Sequence, residues 1–322
     1  MKIALVTPAG RGSRTGNRHT ALRWAAMLRA AGHRVSVATA WDPSEETDML
    51  IALHARRSHA SIRAFAAAHP GRPLLVALTG TDVYRDIRAS AEARTSLRMA
   101  HRFIALQRLA ARELPADLRR RVSVVVQSCA SRLRQRPVRR RFRVAVIGHL
   151  RAEKDPLRAL AALKRLPEER DIELLQLGAA LEPRWADAAR AAMRAEPRYR
   201  WLGSVPHGHA LRRLASSHVL VVSSIMEGGA NIVSEAIRLG VPVLASRIPG
   251  NVGLLGDSYP GYFPPGDDAV LAALIHRAKS DRRFYRRLRA RVRSLQPMVA
   301  PAAEARSLLA AVRACREAAS AA

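Results

Sequence analysis

Short apolar runs alternate with amphipathic stretches along most of this chain, and that rhythm restricts the possible folds more than any single residue does. "KIALVTP", "RVSVATA", "DMLIALH", "PLLVALTG", "RFIALQ" and "VSVVVQ" are brief and bounded by charges or turn formers, as buried strands are. Between them run helical patterns such as "NRHTALRWAAMLRAAGH", which places Leu22, Ala25, Ala26 and Leu28 on one face and closes at Gly32. Strand and helix in alternation predict a parallel sheet with helices on both faces. The rhythm lapses over 128–142, "SCASRLRQRPVRRRF", where Pro137 and many arginines leave no apolar period, and this stretch reads as an interdomain linker. It resumes with "RVAVIGHL", "IELLQLG", "YRWLGSV", "HVLVVSS" and "VPVLAS". The expectation is two Rossmann-like α/β domains in tandem, over 1–138 and 139–299, with ligands in the cleft beyond the strands' carboxyl ends. After Asp281 the chain reads as helical and strongly basic, and 300–322 as an alanine-rich helix without a strand of its own.

A formal net charge of +29 ordinarily points to nucleic acid or a membrane surface. Here nearly all of it is arginine, with lysine only at Lys2, Lys154, Lys164 and Lys279. Arginine and alanine in excess, with little lysine, is what a GC-rich genome imposes on any protein. Aromatic residues make up 4% of the chain, too few for many base-stacking platforms, so a basic nucleic-acid-binding protein is the third-ranked reading. Cys129 and Cys315 form no disulfide framework and no CxxC metal pattern. The amino-terminal "MKIALVTPAG" starts a strand at once, and no apolar run reaches about 18 residues, so a cytoplasmic protein without a membrane span is expected.

The most informative stretch is "SSIMEGGANIVSEAIRLG", 223–240. Glu227 falls just past the strand "HVLVVSS". Gly228 and Gly229 suit a tight turn with exposed amides, and a helix starts near Ala230 and Asn231. The N-terminus of that helix would attract a phosphate, while Glu235, about one and a half turns in, could accept hydrogen bonds from sugar hydroxyls. An anion beside a polyol describes a nucleotide sugar. "VAVIGHLRAEKDP" adds His149, Arg151 and Lys154 just after the first strand of the second domain, cations suited to a diphosphate. Lys154 carries the more information because lysine is so scarce. "WLGSVPHGHALRRL" brings Val205 and Pro206 to the same edge, where backbone groups could bond a base. His207 and His209 read as surface or capping residues. With no Asp-x-Asp pattern and no histidine–carboxylate set, no metal and no cofactor are expected. The helix N-terminus with Lys154 and Arg151 can neutralise leaving-group charge.

The order Gly148-His149-Leu150 with Glu153-Lys154, then Leu202-Gly203-Ser204-Val205-Pro206, then Glu227-Gly228-Gly229-Ala230-Asn231 with Glu235 resembles the retaining nucleotide-sugar glycosyltransferases of the GT-B fold. The resemblance implies that Lys154 and an arginine hold the diphosphate and that Glu235 binds the ribose. Glu227 would face the donor sugar, amides of 228–231 would meet sugar and phosphate, and the last helix would return to the first domain. Relatives carry Gly-Arg-Leu where this chain has His149, which leaves Arg151 to supply the guanidinium. Many also carry a histidine after the fourth strand, where this chain has Thr79-Gly80-Thr81-Asp82.

In the first domain, "TPAGRGSRTGNRHTALRWAAMLRAAGHRV", "LIALHARRSHASI" and "LTGTDVYRD" resemble one subgroup, the selenosugar synthases of selenoneine biosynthesis. That resemblance implies transfer of a sugar from a UDP-sugar, of the UDP-N-acetylglucosamine or UDP-glucose type, to selenophosphate, with a selenophosphate-making enzyme as a partner in metabolism. The glycine loop supplies the expected acceptor site: Gly12, Arg14, Thr15, Gly16, Asn17 and Arg18, with Arg11 and Ser13 alongside and Thr81 and Asp82 across from it. An anionic selenium nucleophile needs such a charged cradle and little help from a base, which fits the missing histidine. His54, after the third strand, faces the same cleft. A GT-B enzyme with a lipid or sugar-hydroxyl acceptor at a membrane is the alternative, and it draws on the basic helix "DRRFYRRLRARVRSL".

Overall fold

The computed structural model of the chain describes residues 1–10, 12–13, 16–80 and 82–321. It forms two compact units, Met1–Gln127 with Pro301–Ala322, and Ser128–Ala300. The first contains strands β1 (Lys2–Val6), β2 (Arg34–Ala38), β3 (Met49–Leu53), β4 (Leu74–Leu78), β5 (Arg102–Ala105) and β6 (Val122–Val124), in the order β2-β1-β3-β4-β5-β6. The second contains β7 (Phe142–Ile147), β8 (Ile172–Leu177), β9 (Tyr199–Trp201), β10 (Val219–Val222), β11 (Val243–Ser246) and β12 (Tyr262–Phe263), in the order β12-β11-β10-β7-β8-β9. Neighbouring strands pair in parallel throughout, for example Ile3 with Met49 and Leu220 with Ala145. The parallel arrangement explains why these strands are apolar without alternation: helices cover both faces. Ile3 and Leu5 join a core with Trp24, Leu28 and Leu308, while Ala4 and Val6 point the other way, toward Trp41 and Phe65.

Two expectations give way, and one strand is added. On the helix Gly16–Ala30 the buried face is Ala21, Trp24, Ala25 and Leu28, whereas Leu22 is 46% exposed and Ala26 is exposed as well. Trp24, the bulkiest side chain of that helix, turns its own i−3, i+1 and i+4 neighbours inward. The stretch 128–142 is not a linker: it packs on the second unit, so the division falls after Gln127 and not after residue 138. Gln135 is buried there, its Nε2 donating to Ser217 O, His218 O and Tyr285 Oη, each at 3.0 Å. Backbone bonds from Arg136 N to Ala215 O (2.8 Å) and Val138 N to Ser216 O (3.1 Å) complete the seam. Lastly, β12 adds a strand that no apolar period announces, since it is two residues long.

The helix Pro301–Ser320 belongs to the first unit, although the chain before it belongs to the second. Its Leu308, Val312 and Cys315 enter the core beside Trp24, each large apolar side chain contributing about 1.5–3 kcal/mol by burial. Burial also pushes the Cys315 thiol up to about 12, so it stays protonated and inert. Glu304, fully buried, ties this helix to the first: Oε2 accepts from Arg23 Nε at 2.7 Å and Oε1 from Trp24 Nε1 at 2.8 Å. The basic helix, Arg282–Ser294, turns Phe284, Leu288 and Val292 inward and leaves Arg282, Arg283, Arg286, Arg287 and Arg293 exposed. Among the described residues no helix is long and apolar enough to cross a membrane.

Candidate active site

In an open parallel sheet the natural binding place is where neighbouring strands connect in opposite directions. In the second sheet β7 lies between β10 and β8, so the switch falls between β7 and β10. The loops leaving these two strands are stitched together. Ser223 Oγ reaches the carbonyls of Lys154 (3.0 Å) and Asp155 (2.9 Å), and Ile225 N donates to Glu153 O at 3.0 Å. Asp155, at φ 42°, takes the left-handed conformation that ends the short turn Ala152–Lys154. A non-glycine residue there is strained, and its carboxylate, which accepts from Arg158 Nε at 2.7 Å, helps to hold it.

Lys154 and Glu227 thereby meet. Lys154 Nζ pairs with Glu227 Oε1, and Ser224 Oγ donates to the same oxygen at 2.6 Å. Glu227 is 8% exposed, so this is a guarded ion pair and not a surface one. A further layer fixes it. Ser246 Oγ donates to Ser224 O, and Asn251, fully buried, donates from Nδ2 to Ser246 O at 2.9 Å and to Ser246 Oγ at 3.1 Å. Gly250 abuts the Glu227 backbone so closely that a Cβ there would overlap the Glu227 carbonyl. Gly178 does the same for the loop after β7: a Cβ would overlap the Gly148 carbonyl. The sequence pointed to Lys154 and Glu227 but not to Ser223, Ser224, Ser246, Gly178, Gly250 or Asn251. Gly178 follows β8, and Gly250 and Asn251 lie in the helix Pro249–Leu255, segments that only the fold brings alongside.

The helix after the glycine turn runs Asn231–Leu239, and Gly240 closes it at φ 79°. Its N-cap, Ala230, offers no side-chain acceptor to the leading amides, which suits an incoming anion. Gly228 is buried and Gly229 partly so, a more enclosed turn than the exposed one expected. Glu235 pairs with His207, Oε1 to Nε2 at 2.8 Å; His207 is an exposed residue at the start of the helix His207–Ala215, as expected, and its ring reaches this group. Arg151 stands apart from Glu227, 4.0 Å from Glu153 and 40% exposed at its side chain. His149 Nδ1 accepts from Ala179 N at 3.2 Å, anchoring its own loop. Val205, partly buried, packs against Leu175, Leu177 and Ala210.

In the first unit the corresponding switch lies between β1 and β3. Gly12 is exposed at φ 84°, Ser13 N donates to Gly10 O at 3.2 Å, and the helix opens at Gly16, with Asn17 and Arg18 partly buried. Arg11, Arg14, Thr15 and Thr81 lie outside the described residues. Asp82, expected to face an acceptor, is fully buried and organises its own turn. Its carboxylate accepts from the amides of Thr79, Gly80, Val83 and Ala55, at 2.7–3.3 Å. His54, in the left-handed region at φ 78°, is 3% exposed. Its Nδ1 accepts from Arg57 N at 3.3 Å, which places the proton on Nε2, 3.6 Å from Asp86 Oδ2. Burial, above all, holds its pKa below the usual imidazole value. Asp86 is paired in turn with Arg56 (3.0 Å) and Arg85 (3.4 Å). Among the described residues no cluster of three or more His, Cys, Asp or Glu is placed to hold a metal ion.

Two six-stranded parallel sheets, with the last helix returned to the first and paired acid and lysine at a strand switch, define a GT-B architecture. Solved structures agree. HepE from Anabaena, in complex with UDP and glucose, is 16% identical, covers 97% of this chain and 99% of its own, and superposes with a TM-score of 0.77. The sucrose-phosphate synthase of Thermosynechococcus elongatus gives 17% identity, 97% and 98% coverage and a TM-score of 0.75. A glycosyltransferase from Rickettsia africae gives 12%, 96% and 97%, and 0.71. At these identities the likeness establishes the fold. Residues 132–295, half of the chain, match the family of glycosyl transferases group 1, and the chain belongs to that family.

Proposed function

We propose that this glycosyltransferase moves a sugar from a UDP-sugar to selenophosphate, making a carbon–selenium bond. The donor half rests on the Lys154–Glu227 pair at the β7/β10 switch. The HepE structures hold UDP, glucose and UDP-glucose, which supports a uridine donor here. In this reading Lys154, helped by Arg151, meets the diphosphate, with the amides of 228–231 beside it. Glu235 takes the ribose hydroxyls, the Val205 backbone and His149 border the nucleotide, and Glu227 faces the sugar. As the bond from the anomeric carbon to oxygen breaks, the electron pair leaves on the UDP β-phosphate, where Lys154 stabilises the growing charge.

The acceptor half rests on one observation. At the carboxyl ends of β3 and β4, His54, Asp82 and Asp86 are each committed to internal contacts, so none stands ready as a general base. A hydroxyl acceptor must lose a proton, whereas selenophosphate arrives ionised and its selenium can attack the anomeric carbon directly. The glycine loop 10–16, with its arginines, then serves as the anion cradle. The test is UDP release from UDP-N-acetylglucosamine and from UDP-glucose, with and without selenophosphate, with mass spectrometry for a selenium-bearing sugar. Selenophosphate-dependent release is expected. If hydroxyl acceptors stimulate release and selenophosphate does not, the acceptor assignment fails while the donor assignment stands.

A further inference from the structure

The amino ends of β7, β8 and β9 carry a second polar group, at the opposite end of the sheet from Lys154 and Glu227. In register, Arg143 lies beside Glu173, and Leu175 lies beside Arg200. Side chains of paired residues share a face, and Glu173 and Leu175, two apart on one strand, share theirs. Arg143, Glu173 and Arg200 therefore project from the same face. The helix His207–Ala215 covers the rest of that face, packing Ala210 against Leu175 and Leu177. It stops at Ser216, whose Oγ accepts from Arg143 Nη1 at 2.8 Å. The arginine-rich segment that reads as a linker runs along the open side, held by the backbone bonds of Arg136 and Val138 to Ala215 and Ser216. What remains is a cavity of about 310 Å³ lined by Val138, Arg140, Arg141, Arg143, Glu173 and Arg200.

Four arginines against one glutamate leave this concavity with a net charge of three. Arg143 and Glu173 satisfy each other, with Nε to Oε2 at 2.7 Å and both side chains largely buried, and so form a fixed floor. Among the described residues, the side chains of Arg140, Arg141 and Arg200 have no ion-pair partner. Three guanidiniums gathered on one hollow repel one another, and an anion that accepts from them relieves that repulsion. Concavity sets them apart from the arginines of Arg282–Ser294, which stand on the exposed side of a helix. Guanidinium forks match phosphate oxygens in pairs.

We propose that this cavity is a binding site for a small phosphate-bearing anion of two or more negative charges, separate from the proposed donor site. Pyrophosphate is the probe, titrated calorimetrically into the full chain at fixed salt. A saturable site that persists in Lys154→Ala is expected, beside any binding at the proposed diphosphate position. Arg140→Ala/Arg200→Ala, both exposed positions, should weaken it about tenfold or more, because charge-assisted hydrogen bonds are lost. Arg286→Ala/Arg287→Ala, the same charge change on the basic helix, should alter it by less than about twofold, and Lys154→Ala should leave it in place. Three results would overturn the site. They are no saturable binding, equal loss in the Arg286/Arg287 variant (a bulk charge effect), or loss in Lys154→Ala, which would place the pyrophosphate at the donor site. Thermal melts of each variant confirm that the fold is retained.

Discussion

Glu227→Gln is the sharpest test of the site, because the structure gives the substitution opposite effects on two measurable quantities. In the free protein Lys154 is held by Glu227, so a diphosphate bound as proposed must compete for the same ammonium. Two unit charges about 4 Å apart attract by about 4 kcal/mol at an effective dielectric of 20, a ceiling on what the competitor must replace. The net figure is lower. The lysine side chain is 23% exposed and the glutamate 8%, which sets the pair between a surface bridge, worth about 0–1 kcal/mol, and a buried one, whose breaking costs about 3–5. Ser224 also keeps one hydrogen bond to the carboxylate after the lysine leaves. We therefore expect the neutral isostere to tighten UDP binding by about 1–2 kcal/mol, a factor of about five to thirty. Turnover of the UDP-sugar should fall, because in the proposed pose the sugar loses a charged acceptor worth about 1.5–3 kcal/mol. Calorimetry with UDP gives the first quantity, and steady-state UDP release gives the second. Unchanged or weaker UDP binding in Glu227→Gln would refute the competition between acid and diphosphate.

Glu235→Ala should weaken UDP binding about tenfold or more through lost ribose contacts, and calorimetry showing wild-type affinity would move the ribose elsewhere. Glu304→Ala strips the Trp24 indole N–H and Arg23 of their buried acceptor, so urea denaturation should register a loss of about 2–4 kcal/mol; a loss near zero would mean this tether is dispensable. Burial holds the pKa values of His54, His101 and His218 below their usual 6.5. His101 Nδ1 accepts from Leu74 N at 3.2 Å and His218 Nδ1 from Arg143 N at 3.0 Å, bonds that a protonated ring cannot make. The unfolded imidazoles thus take up protons at a pH where the folded ones do not. Their stabilisation is complete above about pH 6.5 and declines as pH falls below it toward the folded values. Urea midpoints that stay flat from about pH 7.5 to 5.5 would contradict this sign.

Strand order of apolar runs made both sheets legible, because parallel strands covered on two faces write continuous apolar words. Lys154 stood out through the scarcity of lysine, and Glu227 through its place after a strand. Their pairing was not legible, because it depends on β10 lying beside β7, a neighbourhood set by topology across more than one intervening strand. Gln135 shows the converse failure. Proline and arginine around it imitate a solvated linker, while one buried amide with three partners fastens the segment down. Leu22 and Ala26 misled for a different reason: several apolar residues compete for the inward face, and the indole of Trp24 decides. Asp82 misled because a carboxylate after a strand can serve a ligand or its own turn, and only the amide partners tell which.

The helix that carries Glu304, Leu308 and Val312 has a consequence for biosynthesis. During translation, strands β1 to β6 emerge with one flank of their sheet open, and the whole of Ser128–Ala300 must follow before the covering helix exists. The second unit is contiguous in the chain and can complete its own core first, so the order of folding need not follow the order of synthesis. Until then the nascent first unit exposes Trp24 and its apolar neighbours, a surface that invites chaperones or aggregation.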